Sequence, residues 1–434
     1  MAESKSKRQK LSAENDAVVD RISNLPECLL IHILYFLPTK ESMATSILSK
    51  RWKLLWSLVP KLEINKLELF CESADHFSRF LDLHKAPYLR TCRITYDFAD
   101  CCSDLVDTWV NHVAAREVEE LDLVINRDND EWKPLELPHR VYYCKTLVVL
   151  KLLGRIMIDP PPSFQFPSLK KLGLFRLAYK SDSFFRLLSG CPVLEDLSFE
   201  REYSEGVNHY KICVPTLKRL SIFQYDFDQF DYDNEINPDD ELNYKLEINA
   251  PAIEYFQFNG HLGDIIFLKE LDNLVHADIN ICTFEAGEHG EEECYADRVF
   301  KLLDALYNAK FLSFSSGYSK CLSNGCTYPS LFQNLEQLDF IVNAWNWHML
   351  QALLKNSPNL KVLDVTNESC RSLPHKLCWK KSPADPVCLS SHLETFYFNK
   401  VKGLEHEIEF VKYILKEARV SKRPMTCLLT VNKV

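Results

Sequence analysis

The chain has 434 residues, of which 46% are hydrophobic and 26% charged, so it has enough apolar material for a large folded core. No apolar run reaches the roughly 18 residues that a membrane-spanning helix needs, and no apolar segment of a secretory signal follows the basic N-terminus. The net charge of −10 is uneven, because residues 1–60 hold nine Lys or Arg and six acids while the rest carries −13. Such an acidic body repels phosphate backbones, so we expect neither a nucleic-acid nor a membrane partner.

The first residues and the cysteines bear on where the protein resides. Residues 1–19 are predicted to be a disordered basic tail, in which Lys5, Lys7, Arg8 and Lys10 could direct nuclear import. Sixteen cysteines without a secretory signal favour reduced thiols, because disulfides are rare in the cytosol and nucleus. We therefore expect the protein in the nucleus, the cytoplasm or both.

The segment after this tail is expected to form three short helices. Pro26 suits the first turn of a helix, with Ser23 or Asn24 in the capping position before it. Pro38 ends this helix and opens a second one in KESMATSIL, and Ser49 can cap a third in KRWKLLW.

The first of these helices is apolar on nearly every side. Leu25, Leu29, Ile33 and Leu37 recur every four residues, the spacing of one helical face, and other Leu, Ile and Tyr residues fill the remaining faces. The helix could be the core of a cap on the domain behind it, but a cap should show a polar outer face. An all-round apolar helix in so small a segment favours a surface for a partner.

From residue 86 onward one phrase recurs: apolar, two residues, apolar, one residue, apolar. Its occurrences are 21 to 36 residues apart, a period and a pattern typical of leucine-rich repeats. The phrase begins at Leu89, Val118, Leu147, Leu169, Leu194, Leu217, Ile253, Leu274, Ala309, Leu335, Leu360 and Leu393.

Each phrase predicts a short strand with one buried face, because its last two apolar positions alternate with a polar one. Segments of helical period lie between the strands, such as SFFRLLS, which Ser181 or Asp182 can cap and Gly190 can end. Stacked strand–helix units with right-handed crossovers predict an α/β fold, a curved right-handed leucine-rich-repeat solenoid behind the helical N-terminal segment.

The repeats depart from the usual pattern in two ways. The repeat consensus has an Asn or Cys three residues after the last apolar strand position, where it ties neighbouring turns together. Only three repeats have such a residue there: Asn126, Cys282 and Asn343. Acidic residues concentrate in two insertions, residues 226–241 and 285–293. The spacing in the first insertion does not match a calcium-binding loop. By default both insertions are interpreted as solvated loops. The more specific hypothesis is that they form a docking surface for a basic partner.

No motif for catalysis or cofactor binding is recognisable. Walker, dinucleotide-binding, serine-hydrolase and zinc-protease motifs are missing, which favours binding over catalysis in a repeat protein. The spacing of the one group of candidate metal ligands matches no standard zinc signature. That group is Cys370, His375, Cys378, Cys388 and His392. We predict structural thiols there, no metal, no cofactor and no enzymatic activity.

The N-terminal segment closely resembles an F-box. The matching stretches are ISNLPECLLIHILYFLP and SILSKRWKLLW, the second of which includes Ser49, Arg51, Trp52 and Trp56. In that family this face docks on the Skp-type adaptor of cullin–RING ubiquitin ligases. The residues that the resemblance assigns to adaptor binding are Leu25, Pro26, Leu29, Ile33, Leu34, Leu37, Pro38, Ile47, Leu48, Ser49, Arg51 and Trp52.

The other end of the chain resembles the FBD segment of plant F-box proteins with leucine-rich repeats. Pro386–Val387, Gly403 and Glu407 match that pattern, whereas Lys400 replaces a residue that is usually Gly or aromatic. We expect core residues at Trp379, Phe396 and Phe398, and a closing helix over 404–418 that buries Ile408, Val411, Ile414 and Leu415. The expected regions are a tail over 1–19, an F-box over 20–60, repeats over 61–378 and an FBD-like segment over 379–434.

The resemblance implies a substrate-recognition subunit of an SCF-type ubiquitin ligase. Its partners would be the Skp-type adaptor, the cullin and RING subunits reached through it, and a target protein that the sequence does not identify. Two alternatives stay open. One is a receptor in which a small molecule completes the repeat surface, although an inositol polyphosphate would need a basic cluster in a body that carries −13. The other is an F-box scaffold that acts without a cullin.

Overall fold

The computed structural model describes most of the chain between residues 22 and 431. The described residues are 22, 24–65, 74–98, 103–127, 134–180, 182–201, 209–224, 244–282, 292–317, 330–368, 379, 385–418 and 425–431. The N-terminal basic residues and nearly all of both acidic insertions lie outside this part of the chain. No helix in the described part is long and apolar enough to cross a membrane.

One 14-stranded sheet dominates the fold, and each of its strands runs parallel to its neighbours in chain order. Its strands are β1 Lys61–Asn65, β2 Thr91–Phe98, β3 Glu120–Arg127, β5 Val149–Gly154, β7 Lys171–Phe175, β9 Asp196–Arg201, β11 Arg219–Gln224, β13 Tyr255–His261, β15 His276–Cys282, β16 Phe311–Ser316, β17 Gln337–Val342, β18 Val362–Asn367, β19 Thr395–Val401 and β20 Thr426–Val431. Each of the recurring phrases forms one of these strands, so the repeat prediction is confirmed.

Two short parallel sheets come from segments between strands of the large sheet. The strands of the first are β4 Leu135–Glu136, β6 Ile156–Ile158 and β8 Ala178–Tyr179, and those of the second are β10 His209–Cys213, β12 Lys245–Asn249 and β14 Asp264–Phe267. The prediction that helices connect the strands is therefore wrong in these repeats. Alternating residues such as Tyr210 and Ile212 are buried there, as a half-buried strand requires.

Helices occupy the N-terminal segment and the remaining connections. They are α1 Glu27–Tyr35, α2 Thr39–Ala44, α3 Ala74–Leu83, α4 Ser103–Ala114, α5 Ser183–Ser189, α6 Glu292–Ala305, α7 Trp347–Lys355, α8 Val387–Ser391 and α9 Glu405–Ala418, with 3₁₀ helices at Thr45–Ile47, Trp52–Leu58 and His139–Tyr143. Asp182 precedes α5 in a left-handed conformation and makes no side-chain capping bond, so the predicted cap at Asp182 is wrong, and Ser181 lies outside the described residues. The predicted stop at Gly190 is confirmed.

The core runs along the large sheet as ladders of apolar side chains. Leu121, Leu150, Leu172 and Leu197 pair from strand to strand, and all four are buried. Each buried Leu contributes about 1.5–3 kcal/mol of burial free energy. Because every unit shares its apolar face with the next, no unit is stable alone.

Asn343 ties two neighbouring turns together, as predicted. Its amide nitrogen donates to the carbonyl oxygens of Ser316 at 2.7 Å and Gly317 at 3.2 Å, and its side chain is buried. Cys282 does so more weakly, through a 4.0 Å contact of its thiol with the Asn259 amide oxygen. The side chain of Asn126 lies outside the described part.

Candidate functional site

Both helices of the N-terminal segment begin directly after a proline. Pro26 and Pro38 take φ values of −55° and −54° at the N-terminal ends of α1 and α2, and neither end has a side-chain cap. The predicted cap at Asn24 is therefore wrong, and Ser23 lies outside the described residues. The carbonyl of Pro26 accepts from Leu29 and Leu30, which starts the helix without a capping side chain.

A small core of its own holds this segment together. Its residues are Leu30, Leu34, Trp52, Leu55 and Val59. Leu34 is 1% exposed and Trp52 5% exposed, so both lie in the core of the folded segment and support its surface from behind. Their assignment to direct adaptor contact stays a prediction, and their burial argues against it.

Other apolar side chains of the segment remain in solvent. We call Leu29, Ile33, Phe36, Ile47, Leu48 and Leu54 the N-terminal apolar surface. Ile47 is 88% exposed, and Leu29 and Ile33, one helical turn apart, are 47% and 42% exposed. Several exposed apolar side chains in one short segment are the kind of surface that a partner covers.

The other residues assigned to adaptor binding divide by exposure. Pro26, Pro38, Ser49 and Arg51 are exposed, whereas Leu25 and Leu37 are half-buried against the small core. The guanidinium of Arg51 donates to the carbonyl of Leu25. This hydrogen bond joins the residue before the 3₁₀ helix Trp52–Leu58 to the residues before α1.

Sequence reasoning missed Phe36 and Leu54, which are both largely exposed. Phe36 lies three residues after Ile33, so the helical spacing could have found it. Leu54 carried no such signal, because Trp52–Leu58 is a 3₁₀ helix whose period differs from that of an α-helix.

The N-terminal segment is fixed to the repeats through His84, which lies just after α3. The imidazole Nε2 lies 2.9 Å from the carbonyl of Val59, and Nδ1 lies 2.9 Å from the guanidinium of Arg116. Arg116 also donates to the His84 carbonyl at 2.9 Å and contacts the ring of His112. Val59, His84 and Arg116 therefore form a chain of contacts from the helical segment to the second repeat.

The surroundings of His84 and His112 keep both imidazoles neutral. Burial, together with the positive charge of Arg116, lowers the pKa of His84 to about 4. The pKa of His112 is lowered for the same two reasons. A neutral His84 can donate from Nε2 to Val59 and accept at Nδ1 from Arg116, which matches the observed partners.

Further contacts at the same junction are apolar or involve the backbone. The rings of Trp56 and Phe80 stack with centroids 5.5 Å apart. The carbonyl of Ser57 accepts from the amides of Lys85 at 2.7 Å and Ala86 at 2.9 Å. The N-terminal apolar surface is therefore held at a fixed position relative to the large sheet.

A buried carboxylate organises the other end of the fold. Glu407 in α9 is fully buried and accepts from the backbone amides of Lys402 and Leu404, each at 3.0 Å. The side-chain amide of Asn367, at the end of β18, also donates to it. Three donors satisfy the carboxylate, so it can lie in the core and fix α9 to the sheet.

The same helix buries a face different from the predicted one. Phe410, Tyr413 and Ile414 are buried together with Glu407, whereas Ile408 is exposed and Val411 and Leu415 are half-buried. The prediction is confirmed for Ile414 and wrong for Ile408, because it followed apolar residues only and gave no weight to a buried glutamate.

Comparison with protein families matches three parts of the chain. An F-box domain model matches residues 22–63, and an FBD model matches residues 384–422. A model described as FBD-associated F-box protein At5g56370, LRR repeats, matches residues 106–237.

Relatives from Arabidopsis thaliana match nearly the whole chain. The F-box/FBD/LRR-repeat protein At5g56420 is 31% identical over 94% of this chain and 93% of its own length. The F-box/FBD/LRR-repeat protein At4g00160 is 32% identical over 92% of this chain and 84% of its own length. This chain belongs to the plant F-box/FBD/LRR family. F-box domains generally bind Skp1-type adaptors, and F-box proteins with leucine-rich repeats are typically substrate adaptors rather than catalysts.

The FBD match coincides with an aromatic cluster in the main core. The ring of Trp379 lies 5.8 Å from that of Phe410 and 5.3 Å from that of Tyr413, measured between centroids. Tyr413 donates to Asp385 at 2.9 Å. Trp379, Phe396 and Phe398 are buried as predicted.

Two members of the predicted cysteine–histidine group lie in the FBD. Cys388 is buried, its thiol contacts the carbonyl of Leu354 at 3.4 Å, and burial raises its pKa to about 12. His392 instead contacts the hydroxyl of Ser391 at 2.7 Å. Cys370, His375 and Cys378 lie outside the described residues. Cys388 is thus an unreactive core thiol.

A cleft of about 350 Å³ separates the F-box from the first repeats. It is lined by Cys28, Ile31, His32, Tyr35, Leu58, Pro60, Ala86, Pro87, Tyr88 and Arg90. Tyr35 lies at its wall, where its hydroxyl contacts that of Thr91 at 3.3 Å. The cleft therefore lies between α1 of the F-box and the residues that precede β2.

Proposed function

We propose that this protein is the substrate-recognition subunit of an SCF-type cullin–RING ubiquitin ligase. Its F-box would bind the Skp-type adaptor, and its repeats would hold a target protein for ubiquitination. The observation that carries the proposal is the N-terminal apolar surface, which lies on the domain whose family binds such adaptors. The protein itself would catalyse no reaction and require no cofactor.

The energetics of this surface suit a stable complex. Burial of each exposed Leu or Ile side chain in a complex contributes about 1.5–3 kcal/mol. Ile47 has the most surface to bury, and Leu29 and Ile33 would add the roughly half of each that is exposed in the free protein. Leu34 and Trp52 would contribute by holding α1 in place.

The rigid junction through His84 supports the second half of the proposal. A ligase subunit of this kind accelerates transfer by holding the target near a conjugating enzyme, so that an encounter between molecules becomes one within an assembly. Such a gain requires a fixed distance between adaptor and target. The contacts of Val59, Trp56 and Ser57 with the repeats would keep that distance fixed.

The test is co-purification of a Skp-type adaptor and cullin with the full chain and with the L29A/I33A variant. We expect the variant to lose both partners at nearly unchanged thermal stability, because Leu29 and Ile33 lie at the surface of the free protein and outside its small core. The matched control is L428A/L429A, which truncates two equally exposed leucines in β20 at the far end of the sheet. Undiminished adaptor binding by L29A/I33A would refute the proposal, and adaptor without cullin would refute the ligase assignment.

A further inference from the structure

The solvent-facing side of the large sheet carries one continuous row of paired residues from β1 to β20. Successive members are directly opposite one another on neighbouring strands. They are Glu63, Arg93, Asp122, Lys151, Gly173, Ser198, Ser221, Gln257, Asp278, Ser313, Asp339, Asp364, Tyr397 and Leu428. The two ends of this row differ in their charge.

At the N-terminal end the charges alternate in sign. Glu63, Arg93, Asp122 and Lys151 follow one another on β1, β2, β3 and β5, and Arg93 donates to Asp122 at 2.9 Å. Opposite charges at directly paired positions stabilise a sheet. This end of the row is therefore neutralised within the protein.

At the C-terminal end the row holds acids and no base. We call Asp278, Asp339 and Asp364 the acidic row. Asp339 and Asp364 are directly opposite on β17 and β18, where strands are about 4.8 Å apart and like charges repel. Burial and the charge of Asp339 raise the pKa of Asp364.

Neutral amides, not cations, contact these carboxylates. Gln257 donates to Asp278 at 3.0 Å, Gln337 to Asp339 at 3.0 Å, and Asn399 to Asp364 at 2.7 Å. Within the described ranges, no Lys or Arg forms an ion pair with any of the three. The amides orient the carboxylates but leave their negative charge uncompensated.

Three rings lie beside the acidic row on the same face of the sheet. We call Tyr255, His276 and Phe311 the aromatic row, since they are directly opposite one another on β13, β15 and β16. His276 and Phe311 stack with centroids 4.4 Å apart. His276 is two residues before Asp278, so both side chains point to the same side.

The protein itself shows how this aromatic row accepts a cation. The guanidinium carbon of Arg219 lies 4.6 Å from the centroid of Tyr255, a cation–π geometry. An arginine suits both rows better than a lysine does, because its planar guanidinium can stack on a ring and bind a carboxylate with two hydrogen bonds.

We propose that the acidic and aromatic rows form a docking surface for an extended, arginine-containing segment of the target protein. Its guanidinium groups would bind between Asp339 and Asp364 and beside Asp278, and an adjacent one would stack on the face of Phe311 that His276 does not cover. The inference rests on the proposed function only in calling the bound protein a ubiquitination target. The surface and its preference for arginine follow from the sheet alone.

The test is fluorescence anisotropy of the full chain with a fluorescein-labelled peptide of alternating arginine and serine, and with the same peptide containing citrulline, the neutral isostere of arginine. We expect binding of the arginine peptide only. D339N/D364N should weaken it about tenfold or more, because two carboxylates of the site lose their charge. The matched control, E120Q/D122N, removes the same charge from β3 and should leave the affinity unchanged.

A variant without charge change tests the aromatic row. F311L keeps an apolar side chain and removes the ring, and should weaken binding about threefold. Equal loss in D339N/D364N and E120Q/D122N would show a net-charge effect and overturn the proposal, as would equal binding of the citrulline peptide. D339N/D364N should retain the adaptor, so failure here is distinguishable from failure of the F-box assignment, which L29A/I33A tests separately.

Discussion

Arg116 lies 2.9 Å from Nδ1 of His84, so a permanent cation faces a buried imidazole at the point where the F-box meets the repeats. The arrangement is stable only while His84 is neutral, because a proton on Nδ1 would face the guanidinium and remove its acceptor. Neutrality of one histidine is therefore a condition for the rigid junction between adaptor surface and sheet.

This relationship predicts a stability loss in mild acid. The pKa of His84 is about 4 in the folded protein against an ordinary 6.5, so between these values the unfolded chain binds more protons than the native one. The part of the free energy of unfolding that depends on a neutral His84 is complete above pH 6.5, falls as the pH drops, and is lost by about pH 4. Its full size is about 3 kcal/mol.

Urea unfolding followed by tryptophan fluorescence measures this effect, since Trp56 lies 6.3 Å from the ring of His84. The pH series should be run on wild type, on H84Q and on H139Q, in which an exposed histidine is replaced. The stability difference between wild type and H84Q should shrink from pH 7 to pH 4, while H139Q parallels wild type. A difference independent of pH would contradict the neutral-imidazole assignment.

Glu407 provides a prediction for the FBD end. E407A leaves two backbone amides and the Asn367 amide without their acceptor in the core, which should lower the free energy of unfolding by about 2–4 kcal/mol. E409A, on the exposed side of the same helix, should change it by less than about 0.5 kcal/mol. Thermal melts of both variants measure these losses of stability. Similar losses in E407A and E409A would show that Glu407 does not fix α9 to the sheet.

The repeat strands were predictable because their signal is local. Leu121 and Leu123, for instance, alternate with polar residues, and the same spacing returns in each later unit. The first strand, β1, lies outside the predicted series, which begins at Leu89, although Val59, Leu62 and Ile64 fit the same phrase. The last strand, β20, lacks the signal, because Leu428, Leu429 and Val431 are exposed at the sheet edge.

The candidate sites were less predictable because they depend on contacts between distant residues. Leu34 and Ile33 are adjacent in sequence and equally apolar, yet one is buried behind Trp52 and the other faces solvent. The acidic row is a different case, because Asp278, Asp339 and Asp364 each lie four residues after the start of a recurring phrase, at Leu274, Leu335 and Leu360. The phrase therefore places them on one face, and the strand register shows that they lie in one line.

This contrast between neighbours predicts two kinds of F-box variant. L34A removes buried atoms and should destabilise the F-box by about 2–5 kcal/mol, losing the adaptor together with thermal stability. I33A should weaken adaptor binding while the melting temperature stays within about 2 °C of wild type. Differential scanning calorimetry combined with adaptor titration separates the two. Loss of stability in I33A would mean that Ile33 belongs to the core rather than to the N-terminal apolar surface.

Two glycines with positive φ should differ sharply in their tolerance of alanine. At Gly154, with φ of 113°, an added Cβ would lie 1.8 Å from the carbonyl oxygen of Ile125 on the paired strand β3. Backbone of the sheet cannot yield, so G154A should cost more than about 3 kcal/mol and reduce soluble expression. At Gly403, with φ of 77°, nothing lies within 4 Å, so G403A should cost only the conformational strain of about 1 kcal/mol. Urea midpoints of the two variants measure the difference. Equal costs would show that backbone conformation alone, and not the close approach of β3 and β5, selects glycine at residue 154.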